Sequence, residues 1–180
     1  MHNIRMKNKK KLKILAILIS ITLVGIITYL FLNFQKKKEK IEALKKVPSL
    51  SLTTIGGTLF TSTNLDNNKI KILVYFSPSC HFCQAETEEL SKSYPDYKNI
   101  QWIWVASESL NEIKEFAQQY NLSNQKNIIW CHDEKAILYQ KLAMNSIPYF
   151  LVYDKNNNLI RRNSGAIKLN KLINTADENK

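Results

Sequence analysis

Glycine is scarce in this chain, with four residues in 180, and nothing resembles the spaced-glycine loop that cradles phosphates, so nucleotide chemistry through such a loop is excluded. Three cysteines are too few for a disulfide-stapled scaffold, and a core of this size needs no staple. A tandem repeat and a Pro/Gly-rich linker are also lacking. Structural zinc normally takes four ligands, and there is no second Cys-x-x-Cys and no His-x-x-x-His to supply them. A c-type haem would need histidine directly after Cys83, where Gln84 stands instead. The formal charge of +11 divides unevenly. Residues 1–46 carry 12 Lys/Arg and 2 Asp/Glu, a balance of +10, and the remainder carries 14 and 13, a balance of +1. The larger part is close to neutral and offers no basic face for nucleic acid.

The charge belongs to an N-terminal appendage, and 180 residues leave room for one ordinary domain behind it. Residues 1–13 form a basic segment with Arg5, Lys7, Lys9, Lys10, Lys11 and Lys13. Residues 14–34, Ile14 to Phe34, then run without a charge, long enough to cross ~30 Å of hydrocarbon as a helix. Tyr29, Phe31 and Phe34 sit at the far end, where aromatics suit a membrane interface. A cleaved signal peptide would want a shorter apolar run and a small-residue cleavage site, which residues 29–34 do not offer. The expectation is an uncleaved single-pass anchor. Its far flank, Lys36-Lys37-Lys38-Glu39-Lys40, is basic as well, so charge alone does not fix orientation. The short, acid-free N-terminal flank favours that end in the cytoplasm and the domain outside. Residues 35–46 read as a charged helical stalk, and Pro48 marks the start of a domain spanning 47–180.

The domain alternates strand and helix patterns. A hairpin around Gly56-Gly57 covers Ser49 to Thr61, and strands are expected at Ile70–Phe76, Ile100–Ala106 and Asn127–Cys131. Tyr149–Tyr153 and Leu159–Asn163 make a second hairpin. Helices are expected from Cys80 to Tyr94, from a capping box at Ser109-Leu110-Asn111-Glu112 to Tyr120, from Asp133 to Leu142 or Ala143, and from Ile167 to Thr175. That order implies an α/β domain with a mixed sheet covered on both faces. Trp102, Trp104, Trp130, Cys131 and Met144 are assigned to the core.

Chemistry concentrates where the first long strand meets its helix. A Ser-Pro-Ser turn follows Phe76, then Cys80-His81-Phe82-Cys83 opens a charged helix. Residues i and i+3 of a helical turn share a face, so the two sulfurs can bridge without moving the backbone. The free N–H groups and positive dipole of that turn favour a thiolate at Cys80. Cys80 is therefore the expected nucleophile, and the more buried Cys83 resolves the mixed disulfide. A protonated His81 would favour the thiolate, and Phe82 is placed to meet a partner protein. Glu86, three residues after Cys83, shares its helix face and is the candidate proton carrier. Pro148 is a candidate cis residue, since only X-Pro bonds adopt cis cheaply.

On these residues the chain resembles the thioredoxin-like superfamily, and more narrowly the membrane-anchored TlpA/ResA-type thiol-disulfide oxidoreductases with an AhpC/TSA-redoxin-like domain. The likeness covers about Val47 to Thr175. It rests on Ile72-Leu73-Val74-Tyr75-Phe76 leading to Cys80-x-x-Cys83, on Ser146-Ile147-Pro148-Tyr149-Phe150, and on Glu86. The resemblance implies a thioredoxin-like mixed sheet flanked by helices, with a cis-proline loop packed against the dithiol. The Ile147 backbone would then pair with an extended partner segment. It further implies a reductant of extracytoplasmic protein disulfides such as those of apocytochromes, in cytochrome c biogenesis. Such a protein needs no organic cofactor beyond the Cys80–Cys83 disulfide and no metal, and is itself reduced by a membrane or thioredoxin-linked thiol donor. Three departures are plain. Val74 stands where thioredoxins bury an aspartate, Ser79 where a tryptophan is usual, and His81-Phe82 between the cysteines in place of a proline-containing pair. Three alternatives remain open at the level of sequence. One is a peroxiredoxin-type peroxidase, which wants threonine where Ser77 stands. Another is a copper-binding assembly protein using Cys80, Cys83 and His132, and the last is a non-catalytic tethered binding module.

Overall fold

The structure, a computed structural model, describes residues 2–177; Met1 and the end of the expected domain at 178–180 lie outside the described residues, as do the side chains of the basic segment 1–13. Two units are distinguished, residues 1–42 and residues 43–180.

The first unit is helix α1, His2–Ala43, a run of 42 residues. Among the described residues, the apolar stretch long enough to cross a membrane is Ile17–Lys36, which overlaps the expected 14–34. The described apolar side chains from Leu15 to Phe34 are exposed. Within it, Thr22 and Thr28 donate their hydroxyls back to the Leu18 and Val24 carbonyls, both four residues earlier, which satisfies them without water. Of the expected stalk at 35–46, the helix covers residues up to Ala43, and 44–46 lie beyond it. The second unit, however, begins at Ala43 rather than at Pro48. Leu44 is buried, and Lys46 bridges to Asn158, so the segment before the proline is already part of the domain.

The second unit is a seven-stranded mixed sheet in the order β2-β1-β5-β4-β3-β6-β7. The strands are β1 (Ser51–Thr54), β2 (Leu59–Thr61), β3 (Ile70–Tyr75), β4 (Ile100–Ala106), β5 (Ile128–His132), β6 (Tyr149–Tyr153) and β7 (Leu159–Ser164). The helices are α2 (His81–Ser93), α3 (Leu110–Gln119), α4 (Ile137–Lys141) and α5 (Leu169–Asp177). Strands β3, β4 and β5 run parallel, with Tyr75 opposite Val105 and Val105 opposite Cys131. Strands β6 and β7 continue the sheet antiparallel on one side, and β1 and β2 on the other. Their strand alternation sorts side chains onto two faces. Ile72, Val74, Phe76, Trp102, Trp104 and Trp130 pack with residues of α2, α3 and α5. Leu73, Tyr75, Ile103, Val105, Cys131 and Leu151 pack with α4, the β1–β2 hairpin and the 44–50 segment. The three tryptophans, Cys131 and Met144 are in the core as expected.

Local signals account for most boundaries. Ser109 accepts from Glu112 N–H while Glu112 accepts from Ser109 N–H, the capping box expected at the start of α3. Gly57, with φ of 78°, takes the turn of the first hairpin in a conformation that glycine adopts freely. The helix expected from Asp133 is interrupted. Lys135 and Ala136 hold positive φ, and regular helix begins only at Ile137. Asp133 nonetheless serves as the cap: its carboxylate accepts from Leu138 and Tyr139 N–H and from the Tyr75 hydroxyl, a demand from tertiary structure that outweighs simple continuation of the helix.

Candidate active site

The C-terminal ends of the parallel strands β3, β4 and β5 lie at one edge of the sheet, which in open α/β folds is where ligands and chemistry gather. The turn after β3 leads directly into the dithiol. Phe76 N–H still pairs with Val105 on β4 at 2.9 Å. Ser77 to Cys80 then form a turn closed by Cys80 N–H donating to the Ser77 carbonyl at 3.1 Å. Gln84 Nε2 donates to the Pro78 carbonyl, and the Ser77 and Ser79 hydroxyls pair with each other. Cys80 is thereby held at the N-cap of α2, in extended conformation with φ of −80°, beside first-turn N–H groups that have no intrahelical acceptor.

The two sulfurs occupy different environments. Cys80 is half-buried, whereas Cys83 is fully buried beneath it; both are free thiols. Burial pushes the Cys83 thiol far above its ordinary range. A hydrogen bond with Cys80 and the negative charge of Glu108 reinforce the rise, while a backbone hydrogen bond from Ser77 opposes it. Cys83 is thus kept as a thiol at neutral pH. Cys80 Sγ lies 3.9 Å from the Ile147 carbonyl oxygen, toward which it can donate, and the Ile147–Pro148 peptide is cis. The strand, turn, helix and proline loop therefore meet at Cys80, the arrangement that the resemblance implied.

Glu86 lies on the buried face of α2, 5% exposed. Ile167 N–H donates to its Oε1 at 2.6 Å, and Oε2 is buried without a partner. Desolvation is the main force on this carboxyl. It outweighs the Ile167 hydrogen bond and, with the charge of Glu89, raises it from 4.5 to about 7. His81 and Phe82 stand in solvent, with their ring centroids 6.2 Å apart. Phe82 is 61% exposed, a large apolar ring left uncovered between the two cysteines of the motif. Pro148 is buried and Ile147 half-buried. Cys131 stands on the opposite face of the sheet, and burial raises its thiol to about 12, so it is a core residue here.

Two features of the site were not readable as functional from the sequence. The Ile167 N–H that grips Glu86 comes from a residue 81 positions away. Glu108, in the loop after β4, has a carboxylate oxygen, Oε2, buried without a partner, and its charge acts on both Cys83 and Tyr75. The only sequence cue for Glu108 was its place between a strand end and a capping box. His132, which a copper site would have drawn on, donates its Nδ1 to the Glu108 carbonyl at 2.7 Å. Among the described residues, no group of three or more His, Cys, Asp or Glu side chains is disposed to hold a metal ion.

A mixed sheet with flanking helices, and a Cys-x-x-Cys at the first turn of a helix facing a cis-proline, define the thioredoxin-like class, the fold of the thiol-disulfide oxidoreductases. The chain belongs to the AhpC/TSA family, whose model matches residues 43–168. No curated protein matches this sequence. Among solved structures, it is similar to a secreted Mycobacterium tuberculosis disulfide oxidoreductase homologous to Escherichia coli DsbE, with 21% identity and a TM-score of 0.60 over 76% of this chain and 98% of that one. It is also similar to M. tuberculosis DsbF in mixed oxidised and reduced forms, with 18% identity and a TM-score of 0.62 over 73% and 96%. A thioredoxin-like protein from Aeropyrum pernix matches at 19% identity and a TM-score of 0.60 over 84% and 99%.

Proposed function

We propose that the chain is a membrane-tethered thiol-disulfide oxidoreductase that reduces disulfides of proteins on the extracytoplasmic side of a bacterial membrane. The observation that carries this reading is the inequality of the two sulfurs: Cys80 at the mouth of α2 beside the Ile147 carbonyl, Cys83 sealed one turn below it. In the reaction, Cys80 thiolate attacks one sulfur of a substrate disulfide and expels the other as thiolate. Cys83 then attacks Cys80, forming the Cys80–Cys83 disulfide and releasing the second substrate sulfur. The substrate gains two electrons and two protons, and a thiol donor returns them to the protein. No further cofactor takes part in this scheme.

The remaining assignments follow from position. Phe82 offers apolar area to a partner protein, and the Ile147 backbone offers a strand-like edge to an extended segment. Glu86, titrating near neutrality on the buried face of α2, holds or releases a proton as the couple cycles. Tethering is supported by the Ile17–Lys36 helix segment, which is apolar and exposed along its length, and by the basic residues on both its flanks. A reducing role within cytochrome c biogenesis draws on the DsbE likeness named for the M. tuberculosis structure. The test is reduction of insulin by the full chain in detergent with a thiol donor. Wild type turns over, and Cys80→Ser does not. Equal activity in both would refute the reading. The potential of the Cys80–Cys83 couple then sets direction: a value near about −270 mV marks a reductant and one near about −120 mV an oxidant.

A peroxidase reading keeps one observation in its favour, membership of the AhpC/TSA family. Ser77, which stands at the threonine position of that chemistry, is buried with its hydroxyl paired to Ser79. Consumption of hydrogen peroxide at a rate exceeding disulfide reduction would favour it.

A further inference from the structure

Cys83 cannot lose its proton to bulk water, because its residue has no solvent exposure. Yet it must become a thiolate to attack the mixed disulfide at Cys80, since the thiol itself is a poor nucleophile. A local acceptor is required. Among the described residues, two carboxylates carry a buried oxygen with no hydrogen-bond partner, Glu86 and Glu108. They are not equivalent. Glu86 is fastened through its other oxygen to Ile167 N–H, at the approach to α5. Glu108 sits at the sheet edge where β3, β4 and β5 end. Val105 pairs with Tyr75 and Cys131, Ala106 with His132, and the Ala106 carbonyl accepts Asp133 N–H at 2.8 Å. The loop carrying Glu108 is held there by His132 Nδ1 on its carbonyl. One oxygen, Oε2, is left enclosed and unbonded, three residues beyond Val105, whose carbonyl accepts Phe76 N–H where the dithiol turn begins.

We propose that Glu108 is the base that takes the Cys83 proton when Cys83 resolves the mixed disulfide. The proposal rests on the dithiol reading above and adds a residue to it. In this step the Cys83 S–H proton passes to Glu108, directly or through one water. The Cys83 sulfur forms a bond to Cys80, the bond from Cys80 to the substrate sulfur breaks, and the substrate leaves as a thiolate. Protonated Glu108 then gives its proton to that thiolate or to solvent, and is restored. The electrostatics agree: after burial and the Cys80 hydrogen bond, Glu108 is among the charges that disfavour a Cys83 thiolate, so moving the proton onto Glu108 removes the charge that opposes it. Of the titratable groups facing Glu108, Tyr75 from β3 and Cys83 from α2 feel its charge, and His132, the last residue of β5, is bonded to its carbonyl. Glu112, in the first turn of α3, is turned to Ser109.

The test uses the full chain in detergent and 5,5′-dithiobis(2-nitrobenzoate) as the disulfide. Attack by Cys80 releases a first equivalent of thionitrobenzoate at a rate that depends on reagent concentration. Resolution by Cys83 releases a second at a rate that does not. Glu108→Gln is expected to slow the second phase about tenfold or more and to flatten its pH dependence. The first phase should stay within about twofold, and Glu108→Asp should recover part of the loss. A second phase in Glu108→Gln that matches wild type in rate and pH profile would overturn the proposal, as would the same loss in Glu86→Gln with none in Glu108→Gln. Glu108→Asp separates a folding defect from the loss of a base: failure of both variants to recover any of the second phase, with native tryptophan fluorescence retained, also overturns it. A wild-type chain that releases a single equivalent would instead sink the dithiol reading itself.

Discussion

Glu86 should make the protein less stable as pH rises from about 4.5 to 7, and Glu86→Gln should remove that loss. The folded carboxyl is raised from 4.5 to about 7, chiefly by burial. Below pH 4.5 it is protonated whether the chain is folded or not, and it contributes no pH dependence. Between 4.5 and 7 the unfolded chain releases this proton while the folded one retains it. The folded state then binds more protons, and stability falls with pH. Above about 7 both states are ionised and the loss is complete. The span between 4.5 and about 7 corresponds to ~3 kcal/mol at ~1.36 kcal/mol per pH unit. Glutamine keeps an oxygen to accept from Ile167 N–H, at 2.6 Å in the native protein, and cannot ionise. Glu86→Gln should therefore match wild type within ~1 kcal/mol at pH 4 and exceed it by ~2–3 kcal/mol at pH 8. Urea unfolding of the full chain in detergent reads this directly, because Trp102, Trp104 and Trp130 are all buried in the domain core and report its loss by fluorescence. Titrations elsewhere are common to both proteins and cancel in the difference. Parallel stability–pH curves for the two would refute the assignment of a perturbed carboxyl to Glu86.

Phe82→Ala removes an exposed ring and should leave stability within ~0.5 kcal/mol. It should lower kcat/KM for a protein disulfide several-fold without changing that for a small one, and equal losses on both would argue against a docking role. Leu90→Ala, at a fully buried position on the α2 face of the core, should cost ~2–5 kcal/mol in denaturant unfolding. A loss under about 1 kcal/mol would mean that α2 is not packed as described.

How much of this was legible in the sequence varies with the range of the interactions concerned. Strand β4 is Ile100–Ala106 and β6 is Tyr149–Tyr153, the bounds that their apolar runs give directly, because a strand buried on both faces needs no partner to be recognised. Capping of α3 was equally plain, since a capping box is local. What escaped was set by distant chain. Lys71, a charged residue inside β3 for which the sequence offers no partner, is 1% exposed; its ammonium reaches the Asp154 and Lys155 carbonyls in the turn between β6 and β7. Asp133 reads as a cap of a continuous helix, but its bond to the Tyr75 hydroxyl ties it to β3, and the chain breaks at Lys135 and Ala136 to serve both. In the site, Cys80 and Cys83 stood out by their spacing and Pro148 by the resemblance, whereas the surroundings of Glu86 and the place of Glu108 depend on distant chain.

The two carboxylates make the loss of the aspartate found in thioredoxins intelligible. Val74 fills that position inside the core face, so no acid lies beneath Cys83 from β3. In the proposed cycle, Cys83 resolves without exposure and still has to exchange a proton in each half. Here acids come from two other elements: Glu86 from α2 itself, gripped by Ile167 ahead of α5, and Glu108 from the end of β4. Glu86 carries its proton up to about neutral pH and suits donation, while Glu108 is the acceptor proposed above. On this view Val74→Asp would not restore a thioredoxin. It would bury another carboxylate in the core cluster that holds Cys83, raise the cost of its thiolate further, and slow the resolving step proposed above.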